Sequence, residues 1–138
     1  MAKSKASKAK ATAWMWFSRY IRARDCMAYS GTILDGRCIS CDKPVRFDEG
    51  DAGHFIPSRR DSILFEETNC HLQCRKCNRF EQGAWVEYES AMLLKYGPKE
   101  VDRLKSLKFT TVKLRESNYR EIADKYRKKY KELIGEGN

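Results

Sequence analysis

Four cysteines in two CxxC pairs constrain this chain more than any other feature of its sequence. One pair is Cys38 and Cys41, the other is Cys74 and Cys77, and 32 residues lie between them. Two residues between thiolates let both sulfurs reach one tetrahedral ion, and a second such pair completes a four-cysteine zinc site. We therefore predict a structural Zn²⁺ that closes the loop between the pairs. Because four thiolates leave no coordination position for water, any chemistry must lie elsewhere.

The other two cysteines, Cys26 and Cys70, are predicted to be small buried apolar side chains. The CxxC pairing favours a metal in a reducing compartment over disulfides. The start of the chain lacks the apolar segment of a secretory signal, and no run of about 18 apolar residues exists to span a membrane. We expect a cytoplasmic protein with no membrane partner.

Positive charge is concentrated at both ends of the chain. The net charge is +9, with seven Lys/Arg and one Asp in residues 1–25, and thirteen Lys/Arg against seven acidic residues in 95–138. The middle has eight basic and eleven acidic residues. Two basic flanks favour a nucleic-acid partner, although a solvated surface can have the same composition.

Periodicity and turn residues predict an α+β chain. Residues 1–11, rich in Lys, Ala and Ser, are predicted to form a disordered basic arm. A domain over residues 12–97 would begin with a helix that ends before Gly31. Short strands are predicted to follow, at Arg37–Ile39, Val45–Phe47 and Gly53–Ile56. A helix near Cys74–Cys77 and one ending near Gly97 complete the domain, and residues 98–138 form a basic, helical C-terminal extension.

Polar residues suited to catalysis accompany the cysteine pairs. Both histidines of the chain, His54 and His71, lie between the pairs, and His54 stands in the sequence Gly-His-Phe-Ile-Pro. Asn69 lies five residues before Cys74, and Asn78 directly follows Cys77. Each could be an ordinary structural residue, but their fixed offsets from the cysteines favour a shared site.

These residues resemble the HNH, or ββα-metal, nuclease motif in its zinc-bound form. Segments starting at Phe17, Cys38, Ala52 and Asn69 are similar to the NinG/Rap recombination endonucleases of lambdoid phages, over about half of the chain. The resemblance implies a zinc-held ββα-metal core with an N-terminal helix and C-terminal helices. It also implies an endonuclease, dependent on Mg²⁺ or Mn²⁺, that cleaves branched DNA such as Holliday junctions and D-loops in the host cytoplasm.

The resemblance further implies roles for single residues. His54 would be the general base, since an imidazole with a pKa near 6.5 can take a proton from water at neutral pH. Asn69 would orient His54, and Asn78 would be a ligand of the catalytic ion. Most HNH enzymes carry Asp or His before the base, whereas this chain has Gly53, so His71 or, less favoured, Asp51 would supply the second ligand.

Basic and aromatic residues are candidates for DNA contact. Trp16 is predicted to be exposed for stacking, while Trp14 and Phe17 would pack the first helix onto the core. The candidate phosphate contacts are arginines, namely Arg19, Arg22, Arg24, Arg59 and Arg60.

Partners beyond DNA are only weakly indicated. Two cuts in a four-way junction would suit a homodimer, although no sequence feature requires one, and the resemblance leaves recombination proteins open as partners. Two other classes fit the sequence: a non-catalytic zinc-finger DNA-binding protein and an RNA-binding zinc protein.

Overall fold

The computed structural model describes residues 3–135 and has four helices and two antiparallel strand pairs. In chain order the elements are α1 (Lys5–Ser30), β1 (Asp35–Arg37), β2 (Pro44–Arg46), β3 (Gly50–His54), β4 (Cys70–Cys74), a short π-helical segment (Lys76–Phe80), α2 (Trp85–Tyr96), α3 (Pro98–Leu107) and α4 (Glu116–Leu133). β1 pairs with β2, and β3 pairs with β4. The predicted α+β class is confirmed.

The first helix corrects one prediction. It begins at Lys5, so the disordered arm predicted over residues 1–11 is wrong from that point; Met1 and Ala2 lie outside the described residues. Ser4 caps the helix by accepting a hydrogen bond from the Ser7 amide, and Ala and Lys are strong helix formers. Lys10 also pairs with Asp61 at 2.9 Å, which fixes this end of the helix to the domain.

Strands β3 and β4 place the two histidines on opposite faces of one sheet. Gly53 lies opposite His71, and His54 lies opposite Cys70. Because successive side chains of a strand point to opposite faces, His71 shares the Gly53 face and His54 shares the Cys70 face. This alternation decides what each histidine can contact.

The C-terminal helices pack onto the domain rather than extending from it. Tyr126 of α4 is buried, with its ring edge-on to Phe17 of α1 at a centroid distance of 4.8 Å. A second cluster joins the segment after β3 to α2 and α3, and its members are Phe55, Ile56, Ile63, Tyr88, Met92, Val101 and Leu104. Within the described part of the chain, no helix is long and apolar enough to cross a membrane.

Candidate functional site

The four CxxC cysteines converge on one point. Their sulfur atoms all lie within 4.8 Å of one another, and Cys41 Sγ is 3.8 Å from Cys74 Sγ. A tetrahedral ion with Zn–S bonds of about 2.3 Å has S···S edges of about 3.8 Å. The amides of Cys41 and Cys77 point at Cys38 Sγ (3.5 Å) and Cys74 Sγ (3.4 Å). This donor set fits a structural metal such as zinc.

Three separate segments supply these cysteines. Cys38 and Cys41 lie in the turn between β1 and β2, Cys74 ends β4, and Cys77 lies in the π-helical segment. Cys26 and Cys70 are fully buried, as predicted. Burial raises the pKa of Cys26 to about 11 and also raises the pKa of Cys70, so both thiols stay protonated at neutral pH.

His54, at the end of β3, has one ring nitrogen engaged and one free. Its Nε2 lies 3.2 Å from the carbonyl oxygen of Leu64. A carbonyl only accepts hydrogen bonds, so Nε2 carries the proton and Nδ1 keeps its lone pair. Nδ1 has no hydrogen-bond partner among residues 3–135 and is not among their buried unpartnered atoms, so solvent reaches it.

Trp14 and Arg59 complete the surroundings of His54. The Trp14 ring stacks on His54 with centroids 4.9 Å apart, and the Arg59 guanidinium lies 5.4 Å from the Trp14 ring. Burial lowers the pKa of His54, and the positive charge of Arg59 lowers it further. The imidazole is therefore neutral at pH 7, the form that can accept a proton.

A cleft of about 560 Å³ opens beside His54. His54, Asn78, Trp14 and Arg59 all contribute to its wall. Trp14 shares a helical face with Phe17, a pattern that predicts packing onto the core and no more. Nothing in the sequence indicates its contact with a histidine 40 residues later.

Asn69 is buried and holds the segment that follows His54. Its Oδ1 accepts a hydrogen bond from the Ile56 amide at 2.9 Å, and its Nδ2 donates to the Ile56 carbonyl at 3.2 Å. The Phe55 amide donates to the Asn69 carbonyl at 2.8 Å. The structure therefore gives Asn69 contacts that position the loop next to His54, and it places the side chain away from the cleft.

The prediction of His71 as a metal ligand is wrong in this fold. Tyr88 donates its hydroxyl proton to the Gly53 carbonyl at 2.7 Å, so its oxygen can only accept from His71 Nδ1 at 3.1 Å. The Tyr96 hydroxyl, 2.7 Å from Nε2, then donates to that nitrogen. Neither nitrogen is left for a metal, and burial lowers the pKa of His71 to about 3.

Asp51 and Asn78 lie together near the cleft. Asn78 donates from Nδ2 to Asp51 Oδ2 at 3.0 Å, which leaves the amide oxygen of Asn78 without a partner in the described chain. Arg79 binds both carboxylate oxygens of Asp51 at 2.9 Å. Asn78 thus offers an oxygen to a hard ion as it stands, and Asp51 does so only if Arg79 moves.

Packing explains why the residue before His54 is a glycine. The buried side chain of Gln73 lies across Gly53, and a Cβ on Gly53 would collide with its amide oxygen and lie 2.9 Å from Cδ. An Asp or His at position 53 therefore has no room in this packing. The Gln73 side chain on the opposite strand thus accounts for the glycine at this position.

Two of the predicted DNA-contacting residues are structural instead. Arg24 uses its guanidinium to bind Asp25 and the carbonyls of Glu67 and Cys70, which gives it a structural role, and its phosphate contact stays a prediction. Trp16 is half-buried, with Arg19 over its ring at 5.0 Å and a tilted contact to Tyr130. The predicted exposed stacking role of Trp16 is wrong because α4 packs against it.

The remaining predicted arginines occupy different surroundings. Arg59 is exposed at the His54 cleft, while Arg60 donates to the Lys108 carbonyl at 3.4 Å. Arg19 also lies 5.8 Å from the Tyr130 ring. Arg22 is half-buried on α1 and lines a second cleft together with Asp51 and Asn78. Of the predicted arginines, Arg59 and Arg22 therefore line clefts near His54.

Sequence comparison relates this chain to a phage protein family. Over residues 2–136 the chain matches the family described as "NinG: Bacteriophage Lambda NinG protein", and it belongs to the NinG family. It is 30% identical to protein ninG of Escherichia phage 933W over 115 residues, which is 83% of this chain and 52% of that protein.

Further relatives match a shorter segment. Protein ninG of Escherichia phage lambda and protein ninG of Salmonella phage P22 are each 32% identical over 88 residues, 63% of this chain and 39% of each relative. The chain thus spans about half or less of the length of the relatives it matches. No solved structure matches it significantly.

Proposed function

We propose that this protein is a metal-dependent DNA endonuclease of the HNH type that cleaves branched recombination intermediates such as Holliday junctions and D-loops. The observation that carries the proposal is the state of His54, a neutral imidazole whose Nδ1 is free beside a cleft. The order β3, β4 and helical segment supports it, since a ββα-metal core has that order of elements.

In the proposed reaction His54 Nδ1 takes a proton from a water molecule as that water attacks the phosphorus. The Leu64 carbonyl accepts a hydrogen bond from Nε2 and fixes the ring. Protonation of Nδ1 then gives an imidazolium whose Nε2–H still donates to Leu64. The bond to the 3′-oxygen breaks, and that oxygen leaves as the alcohol after taking a proton from solvent.

A divalent ion, Mg²⁺ or Mn²⁺, supplies Lewis-acid stabilisation of the leaving oxygen when it is bound. Asn78 would hold it through Oδ1, with Asp51 joining once Arg79 turns to substrate. Arg59, exposed at the same cleft, is suited to a phosphate contact. The preference for branched DNA rests on the family resemblance.

One observation favours a second candidate, a zinc protein that binds DNA without cutting it. Asp51 is neutralised by Arg79, and His71 is enclosed by Tyr88 and Tyr96, so few hard ligands remain for a catalytic ion. Such a protein would need the four-cysteine site and the basic surface but not His54.

The deciding experiment is a cleavage assay on linear, forked and four-way DNA with Mg²⁺, with Mn²⁺ and with EDTA. We expect divalent-dependent cutting that falls about 10²- to 10⁴-fold in His54→Gln, because Gln can keep a donor to Leu64 but cannot act as the base. Circular dichroism verifies that the variant folds. The same measurement on wild type in EDTA separates loss of the catalytic ion from loss of the structural zinc. Unreduced cleavage by His54→Gln would refute the role of His54, and no cleavage by wild type on any substrate would favour the DNA-binding alternative.

A further inference from the structure

A second cleft, of about 370 Å³, shares part of its wall with the His54 cleft. Trp14, Ala52 and Asn78 line both clefts, so the two are neighbours. Three arginines enter the second cleft: Arg22 from α1, and Arg75 and Arg79 from either side of Cys77. Two elements far apart in sequence thus contribute arginines to one cleft.

Among the described residues, Asp51 supplies the only carboxylate in the wall of this cleft, and it does not balance three guanidinium groups. Arg79 occupies both oxygens of Asp51 at 2.9 Å, and Arg75 Nε is 3.9 Å from Oδ1. The Arg75 and Arg79 side chains remain about half exposed, at 49% and 54%. Arg75 also donates to the Asp48 carbonyl at 3.3 Å. Both side chains are exposed enough to meet a ligand that enters the cleft.

Arg22 has no ion pair at all within residues 3–135. Its guanidinium donates to the carbonyls of Ser18 and Phe47 and lies 4.6 Å from the Phe47 ring. Burial lowers the pKa of Arg22, the neighbouring Arg19 lowers it further, and Asp51 opposes both. A half-buried cation without a counterion is destabilising, and an anion placed beside it relieves that cost.

We propose that Arg22, Arg75 and Arg79 form a binding site for a backbone phosphodiester of DNA, in the cleft that adjoins the one of His54. Guanidinium groups bind phosphate oxygens through paired N–H donors, and three of them around one concave site suit a single phosphate. Because Trp14, Ala52 and Asn78 are common to both clefts, a strand held here would run on to His54. This inference rests on the proposed function for the identity of the ligand as DNA.

The test is DNA binding in a buffer without added Mg²⁺ or Mn²⁺, followed by fluorescence anisotropy. The probes are a fluorescein-labelled duplex and a four-way junction, titrated at several salt concentrations. The variants are Arg22→Gln, Arg75→Gln and the double variant. Arg37→Gln is the matched control, because Arg37 lies on β1, stacks on Tyr29 and lines neither cleft.

We expect each single variant to raise Kd on the order of tenfold, as for a lost charge-assisted hydrogen bond. The double variant should reduce the slope of log K against log salt by about one, the signature of one lost phosphate contact. Arg37→Gln should leave Kd and slope at the wild-type values. If the double variant binds like Arg37→Gln, the inference is overturned.

Failure of this inference can be separated from failure of the proposed function. If wild type never cleaves DNA but the Arg22 and Arg75 variants bind it more weakly, the phosphate site stands and the nuclease proposal is refuted. A chain that cuts through His54 while the arginine variants bind normally refutes only the phosphate site. Arg75→Gln, which changes a half-exposed side chain, keeps the test decisive if Arg22→Gln does not fold.

Discussion

The two faces of the β3–β4 sheet each hold one histidine, and the histidines differ in what their ring nitrogens can still do. On one face His71 has both nitrogens hydrogen-bonded by tyrosines and is 1% exposed. On the other face His54 gives one nitrogen to Leu64 and keeps the other free. Availability of a lone pair, rather than position in a motif, separates a structural histidine from a candidate base.

The covering elements cause this difference. Helix α2 lays Tyr88 and Tyr96 over His71 and excludes water from it. Helix α1 covers His54 only with the Trp14 ring and leaves the cleft open. Both faces depend on β4, whose last residue, Cys74, is part of the cysteine cluster.

Metal removal should unfold the sheet with both of its faces, and this is the largest effect we expect. Structural zinc contributes roughly 10–16 kcal/mol in small zinc peptides, as much as or more than the typical stability of a domain. Chelation by a strong zinc ligand, or Cys38→Ser with Cys41→Ser, should therefore remove cooperative unfolding. Thermal melts followed by circular dichroism, with bound zinc measured by mass spectrometry, test this.

Cys26→Ser provides the control for a thiol outside the cluster. Its side chain is buried among Val45 and Leu72, so we expect a partial loss of stability with zinc still bound at one equivalent. A zinc-free chain that melts as the loaded chain does would show that the strand pairs hold both faces without a metal.

Local patterns predicted more of this fold than of the site. CxxC spacing identified the four cysteines, and Gly31, with φ of 78°, ends α1 where the sequence placed it. Strand β4 was missed because all residues from Cys70 to Gln73 are buried, so no polar alternation reveals it. Lys10 was assigned to a disordered arm because its partner, Asp61, is 51 residues away in sequence.

The site was predicted only where a motif was local. His54, Asn69 and Asn78 stand at set distances from the cysteines, and the fold brings His54 and Asn78 to one cleft. The tyrosines that enclose His71, the Trp14 stack and the use of Arg24 all arise from contacts between distant segments. Such tertiary contacts have no periodic signal in a single sequence.

Replacing His71, on the face covered by α2, should lower the free energy of unfolding by an intermediate amount. In His71→Phe, Tyr88 and Tyr96 lose their partner, which costs about 1–3 kcal/mol of unfolding free energy at pH 7. The cost should shrink with acid, because His71 is neutral when folded, with a pKa of about 3, and takes up a proton on unfolding near pH 6.5. Wild type thus loses up to about 1.4 kcal/mol per pH unit below 6.5, and the variant does not.

Urea unfolding of both proteins at pH 7 and pH 5.5 measures this difference. Asp25, Arg24 and Lys95 also face His71 and remain in both chains, as do the cysteine thiols, so subtraction isolates the contribution of the histidine. A gap between wild type and variant that is equal at the two pH values would mean that folding does not lower the pKa of His71.

The smallest effect should come from opening the other face. In Trp14→Ala the stacked ring leaves His54, water reaches the imidazole, and the pKa of His54 should rise from its lowered value toward 6.5, while Arg59 keeps it slightly depressed. An NMR titration of the His54 ring measures this shift without any cleavage, and the acidic limb of the pH–rate profile for cleavage should move to higher pH by the same amount.

Trp14→Phe retains an aromatic stack and should restore most of the lowering of the His54 pKa. Trp16→Ala is the control, because Trp16 contacts Arg19 and Tyr130 instead of His54. If Trp14→Ala and Trp16→Ala give the same pKa, the Leu64 segment and not helix α1 sets the protonation of His54.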